Sequence, residues 1–267
     1  MTRPHTFTAG IVQFDVKTGD TRSNLETAFG QTDLLADQGA ELVLLPEMWS
    51  CGFDNRKLHE HAKDLPDIIE KLSEKAKQHR IIIAGSMPEA SGKSIYNTMY
   101  VIDMDGSVAG SYRKVHLFSP TREHKYFSAG SSSVVCNTSK GLIGLMICYD
   151  LRFPELCRAV ALKRAWVVLT AAQWPIERID HWNTLLRARA VENQVFMVAA
   201  NSSGRDKNLT YGGCSRIVSP FGEVMAAVEG NSPATIIAKL DPCEMDKYRQ
   251  SVSYLDERVP TAYEGLV

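Results

Sequence analysis

Apolar and polar positions switch between two periods along this chain, and the switches mark its elements. Thr6 to Phe14 reads as a first strand. Thr21 to Gln38 carries Leu25, Phe29, Leu34 and Leu35 as a rough apolar stripe, which predicts a helix with one face inward. Glu41-Leu-Val-Leu-Leu-Pro46-Glu47 is a short apolar run stopped by proline, the pattern of a buried strand. Pro66 opens a second helix, with Ile68, Ile69, Leu72 and Ala76 at core spacing. Ile81 to Ser86 is another buried strand. Ser94 to Met104 and Ser107 to Leu117 flank Asp105-Gly106, a hairpin signal. Ser119 to Ser133 is a polar loop, followed by a strand at Val134 to Asn137.

The second half alternates in the same way. Gly141 to Cys148 is a continuous apolar strand, and Pro154 then suits the first turn of a helix. Ala165 to Ala171 is a strand and Ile179 to Gln194 a helix. Val195 to Asn201, Cys214 to Val218, Val224 to Val228 and Thr235 to Leu240 read as strands, and Pro242 starts a last short helix. This alternation predicts an α/β fold, with a mixed sheet or sheets and helices on the outer faces. No low-complexity linker or charge block interrupts the 267 residues, so one domain over 1–267 is expected.

Composition removes several classes of function. Net charge is −1, with no basic patch for nucleic acid and no cationic amphipathic stretch for a membrane surface. The N-terminus lacks an apolar signal region, and no apolar run is long enough to span a bilayer. Six scattered cysteines form no C-x-x-C pair and no zinc-like cluster, which fits reducing cytoplasm and free thiols. The Asn-x-Ser/Thr triplets at Asn137, Asn201 and Asn208 are then chance matches. Ser91-Gly92-Lys93-Ser94 imitates the end of a phosphate-binding loop, but Met87 stands where that loop needs glycine and a strand follows.

Three residues carry the candidate chemistry. Cys148 ends its strand on a turn before a helix N-terminus, where free N–H groups stabilise a thiolate and a developing oxyanion. Glu47 leaves the end of another strand. Lys114, in Tyr112-Arg113-Lys114-Val115-His116-Leu117, shares a strand face with His116. An amide is a poor electrophile with a poor leaving group. It requires a nucleophile, charge stabilisation on its oxygen and a proton for the departing nitrogen. Cys148 is the nucleophile, Glu47 carries the proton, and Lys114 lowers the thiol pKa and supports the oxyanion with the N–H of Tyr149. Separately, a buried thiol, a loop carboxylate and a solvated lysine would each be ordinary.

The chain resembles the nitrilase, or carbon–nitrogen hydrolase, superfamily over nearly its whole length. Leu45-Pro46-Glu47-Met48, the lysine motif above and Cys148-Tyr149-Asp150-Leu151-Arg152-Phe153-Pro154-Glu155 carry the resemblance. It implies a four-layer αββα sandwich, a cofactor-free Glu–Lys–Cys triad, and a homodimer or larger homo-oligomer, for which Ile179 to Gln194 is the contact helix. It also implies a second glutamate, matched by Glu123, that holds Lys114. Within the superfamily the wording looks closest to the omega-amidases, which cleave the terminal amide of small carboxylate-bearing amides such as 2-oxoglutaramate and 2-oxosuccinamate. The deaminated-glutathione amidases and the nitrilases share the triad. Trp174 either walls the pocket or is a structural tryptophan. Arg152 either meets a substrate carboxylate or pairs with a helix glutamate. The competing readings are a papain-like hydrolase using His116 or His181, and a catalytically silent binding or scaffold relative.

Overall fold

The computed structural model describes residues 5–206 and 209–263. Asn208 and the first four residues, on which two of the expectations above fall, lie outside them. The first half runs β1 (Phe7–Gln13), α1 (Thr21–Asp37), β2 (Leu42–Leu44), α2 (Leu58–His61), α3 (Leu65–His79), β3 (Ile82–Ser91), β4 (Ser94–Ile102) and β5 (Val108–Arg113). The second runs β6 (Val135–Thr138), β7 (Gly141–Ile147), α4 (Pro154–Leu162), β8 (Val167–Ala172), α5 (Ile179–Asn193) and β9 (Phe196–Asn201). It ends with β10 (Arg205–Asp206), β11 (Leu209–Thr210), β12 (Arg216–Val218), β13 (Val224–Ala227), β14 (Ala234–Leu240) and α6 (Pro242–Ser251).

Two six-stranded sheets stack face to face, in the orders β14-β1-β2-β3-β4-β5 and β13-β12-β9-β8-β7-β6. Helices cover the outer faces, giving the expected αββα sandwich. Strand alternation explains the layers. Ala9, Ile11, Leu42, Leu44, Ile82 and Ala84 point between the sheets, where they meet Leu145, Val167 and Val198. Val12, Val43, Leu45 and Ile83 point the other way, onto Leu35 of α1 and Ile68, Leu72 and Ala76 of α3. Both faces of these strands are buried, so they read as unbroken apolar runs.

The two sheets are built alike. β1, β2 and β3 are parallel neighbours, and so are β7, β8 and β9. Each trio has one antiparallel strand on its first side and two on its last. The parallel strands bring Glu47, Cys148 and Gln173 to one rim at their C-terminal ends.

Several boundaries differ from the sequence pattern. β3 runs on to Ser91 because β4 pairs with it throughout; Pro88 fits there because β2 pairs only with Ile82–Ala84. The phosphate-loop imitation is the turn of this hairpin, with Ser91 opposite Ser94. β5 stops at Arg113; Lys114 N still donates to Asn97 O of β4 at 2.9 Å, but the strand ends there, so the expected strand face shared by Lys114 and His116 is corrected. The short α2 and the β10–β11 hairpin carry no periodic signal. Among the described residues no helix is long and apolar enough to cross a membrane, and all six cysteines are free.

Candidate active site

Cys148 sits on a sharp elbow at the end of β7, with φ of 47°, a left-handed conformation that costs a non-glycine residue energy. A 3₁₀ turn over Cys148–Arg152 follows, and α4 starts only at Pro154. The expected placement directly before a helix N-terminus is therefore corrected: a short turn intervenes.

Asp150, fully buried, holds this elbow. Its carboxylate accepts from Ile147 N at 2.9 Å, the Tyr112 hydroxyl at 2.7 Å and His116 N at 3.0 Å, and lies 2.8 Å from His116 Nδ1. Tyr112 and His116 flank Lys114. The cysteine and lysine segments are thus joined through one carboxylate.

Glu47 follows Pro46 and precedes Met48, whose φ is 48°. The turn drives a side chain only 1% exposed into the seam between the sheets. Glu47 Oε2 accepts from Gln173 N at 2.9 Å, and Gln173 Nε2 donates to Glu47 O at 2.8 Å. Glu47 Oε1 accepts from Asn97 Nδ2 at 2.8 Å and Lys114 Nζ at 2.9 Å. The remaining Lys114 bonds go to Glu123 Oε1 and Oε2, each at 2.9 Å. Glu123 Oε2 also accepts from Phe118 N at 2.6 Å. The loop carrying Glu123 closes against Lys114 through Gly130 N, which donates to Lys114 O at 2.8 Å. A Cβ at Gly130 would lie 2.2 Å from Arg113 O, so only glycine permits this approach.

Cys148 lines the same cavity as Glu47 and lies within reach of its charge. Burial, with the charge of Glu47, pushes the thiol well above its ordinary range, against the pull of Lys114. Lys114 does pull the thiol pKa down, as expected, but burial and the charge of Glu47 together outweigh it, so the net shift is upward. Burial opposes the Lys114 ammonium, but Glu123 and Glu47 overcome that and hold its pKa well above the ordinary value. Burial raises the Glu47 pKa, with Lys114 opposing.

These four side chains line a cavity of about 490 Å³, together with Tyr149, Trp174 and Arg152. Trp174 is both structural and a cavity wall: it is 2% exposed, and its indole N–H donates to Arg178 O at 2.8 Å. Arg152 makes no ion pair with a carboxylate among the described residues. Neither His116 nor His181 lines the cavity, which removes the papain-like arrangement. Asn97, Gln173, Arg178, Asp206 and Tyr211 were missed. Only Asn97, a polar residue in an apolar strand, and Gln173, beside Trp174, left any trace in the pattern. Among the described residues no group of three or more His, Cys, Asp or Glu side chains is placed to hold a metal ion.

Fold and site together are those of a hydrolase acting on carbon–nitrogen bonds. The chain belongs to the carbon-nitrogen hydrolase family, whose model matches residues 8–250. It is 36% identical to a 2-oxoglutaramate amidase of Bacillus subtilis over 94% of this chain and 97% of that one. It is 35% identical to a chloroplastic omega-amidase of Arabidopsis thaliana, covering 97% of this chain and 74% of that one. Among solved structures it is similar to a Glu-to-Gln variant of an amidase from Nesterenkonia sp. AN1, in which the acetamide moiety of fluoroacetamide is covalently added at the active-site cysteine. The TM-score is 0.87 and the identity 25%, over 100% of this chain and 98% of that one.

Proposed function

We propose that this protein is an omega-amidase that hydrolyses the terminal amide of small carboxylate-bearing amides, such as 2-oxoglutaramate or 2-oxosuccinamate, to acid and ammonia. The observation that carries the reading is the convergence of Glu47, Lys114 and Cys148 on one cavity, with Lys114 Nζ 2.9 Å from Glu47 Oε1. Relatives named for this activity over nearly the full length support the substrate class.

The resting thiol is neutral, so attack is coupled to proton transfer. Cys148 Sγ bonds to the amide carbon while its proton passes to Glu47. The charge on the amide oxygen is met by the Tyr149 N–H and the Lys114 ammonium. Lys114 already donates to two carboxylates, so its contribution is mainly that of a fixed charge. The tetrahedral intermediate breaks its C–N bond as Glu47 returns the proton to nitrogen; ammonia leaves and a thioester remains. Glu47 then takes a proton from water as the resulting hydroxide attacks the thioester; collapse breaks the C–S bond, Glu47 returns the proton to Cys148 Sγ, and the acid leaves. Glu123 holds Lys114 throughout.

Acid-quenched mass spectrometry tests the scheme. An acyl adduct on Cys148, and a hydroxamate when hydroxylamine is added, are expected. No adduct, no hydroxamate and no dependence on Cys148 would defeat it. Ammonia release across omega-amides, nitriles and deaminated glutathione separates the omega-amidase from relatives with the same triad. A reactive Cys148 with no turnover on that panel would revive the scaffold reading.

We also propose a cytoplasmic homodimer. Val191 of α5 and Phe221 are exposed, and Phe221 stacks on Tyr248 with ring centroids 4.3 Å apart. This apolar surface next to the predicted contact helix is the support for a paired helix face.

A further inference from the structure

The two oxygens of the Glu47 carboxylate are not alike. Oε1 accepts from Lys114 Nζ at 2.9 Å and from Asn97 Nδ2 at 2.8 Å. Oε2 accepts, among the described residues, from Gln173 N alone, at 2.9 Å. Each carboxylate oxygen offers about two lone-pair sites. Both are taken on Oε1, and one stays open on Oε2. A proton arriving at Oε1 has to displace a donor, and at Oε2 it displaces none. Gln173 acts on the cysteine as well: burial dominates the raised Cys148 pKa, and the Gln173 backbone is among the groups that oppose it. Oε2 and the thiol therefore share a neighbour.

Asn97 makes the difference between the two oxygens. It stands in β4 on the face it shares with Met99 and Val101, which point between the sheets. It is fully buried, and a polar side chain there costs free energy unless it is bonded. Against an ionised carboxylate, which only accepts, the amide has to present Nδ2. Its Oδ1 then has no partner among the described residues. An apolar side chain would fill the same strand position and leave no such remainder. The backbone of Asn97 is engaged too, since its carbonyl accepts from Lys114 N at 2.9 Å. One position thus anchors the base through its side chain and the lysine through its main chain.

We propose that Asn97 is a positioning residue for the reaction: with Lys114 it closes Oε1 of Glu47, so that Oε2 takes the proton from Cys148, delivers it to the leaving nitrogen, takes the next one from water and returns it to sulfur. The proposal rests on the amide-hydrolase reading and assigns its proton to one atom. It divides the carboxylate into two roles. Oε1 holds the lysine, and Oε2 does the proton transfer, so the side chain need not rotate between steps. Donation by Asn97 favours the ionised carboxylate. Burial works against it, and the other groups that act on the same charge are Lys114, Glu123 and Cys148, with Tyr211 beside them.

Two variants test this by moving opposite limbs of the pH profile for ammonia release from 2-oxoglutaramate. Asn97→Leu removes the donor and keeps the bulk. Glu47 should then ionise at higher pH, so the acid limb of kcat/KM should move up by about one pH unit. Its kcat should fall about tenfold or more, with KM little changed. Asn97→Asp keeps the shape. Its neutral carboxyl donates to Oε1 as the amide does, and its ionised form cannot. Activity should persist at acid pH, and the alkaline limb should move down. Infrared titration of the Glu47 carboxyl band, identified by its loss in Glu47→Gln, reads the Asn97→Leu shift without turnover. A residue that served packing alone would lower the melting temperature and leave both limbs in place. In either folded variant, the stated limb coinciding with that of the wild type overturns the positioning role and leaves the amide-hydrolase reading standing. A wild type that releases no ammonia from any amide defeats that reading instead. The infrared midpoint then decides: raised in Asn97→Leu, it upholds the role of Asn97, and unchanged, it overturns it.

Discussion

At the scale of single residues, burial holds the proton on Cys148, and of the two charges beside it Glu47 outweighs Lys114. Glu47→Gln removes that opposing charge and leaves Lys114 beside the sulfur. The thiol pKa should fall, so iodoacetamide should label Cys148 faster at pH 7–8, with peptide mapping separating it from exposed Cys243. Amide turnover should nonetheless drop about 10²-fold or more, because the proton carrier is lost. Slower labelling in the variant would show that the resting thiol depends on Glu47 as base rather than suffering from its charge. Lys114→Ala should likewise lower kcat by about 10²–10³-fold. Because Lys114 also neutralises two buried carboxylates, its loss should cost about 3–5 kcal/mol of stability as well. The sign with pH is fixed by Glu47. Glu47 has its folded pKa raised above the ordinary 4.5, so its stabilising contribution is present below that value and lost as pH rises. Without Lys114 this trend should steepen, and thermal melts of Lys114→Ala should show a larger fall in Tm between pH 4 and pH 8 than the wild type. Adding Glu123→Gln should restore part of the stability.

At the scale of elements, the site depends on ties between segments distant in sequence. Asp150 accepts from both sides of Lys114 and from the strand leading to Cys148. Asp150→Ala leaves these donors unpaired, and it should cost about 3 kcal/mol or more. Asp150→Asn retains the shape and part of the bonding. It should unfold at a temperature between those of the wild type and Asp150→Ala, with kcat reduced more than KM is raised. Helix-to-sheet packing is equally tight. Gly10 of β1 faces Leu35 of α1, and Gly144 of β7 faces Val160 of α4; a Cβ at Gly144 would stand 2.9 Å from Val160 Cγ2. Gly144→Ala should therefore destabilise by about 1–3 kcal/mol through overpacking, seen as a lower urea midpoint at unchanged slope.

At the scale of the whole molecule, the structure is two similar half-sheets pressed together with the reaction at their common rim. Glu47 comes from one sheet, Cys148 and Gln173 from the other, and Lys114 and Glu123 from the connection that leads to β6. Relative movement of the sheets would separate the thiol from its base. Dimerisation through the α5 face would stiffen this arrangement from outside. Phe221→Glu places a charge in the exposed patch and should shift the sedimentation coefficient from dimer to monomer at micromolar concentration. An unchanged coefficient in a folded variant would locate the contact elsewhere.

The local part of this picture was legible in the chain. Apolar runs in β1, β2, β3, β7, β8 and β9 and the stripe of α3 follow from burial on two faces or one, so the layered α/β architecture could be read from periodicity. Glu47, Lys114 and Cys148 were visible because each stands at or near a strand end, and a motif with chemical meaning surrounds each. What the chain could not show is everything set by distance between residues remote in sequence. The shared plan of the two sheets survives in backbone pairing and almost nowhere in the residues, because many apolar side chains satisfy the same buried strand. Arg178 follows Pro175 in an unpatterned turn, and only the fold brings it to the cavity that Arg152 lines. The direction of the Cys148 pKa was also a tertiary outcome. It depends on how deeply three charged groups are buried and on which lies against the sulfur, and a sequence lists charges without fixing the distances that decide between them.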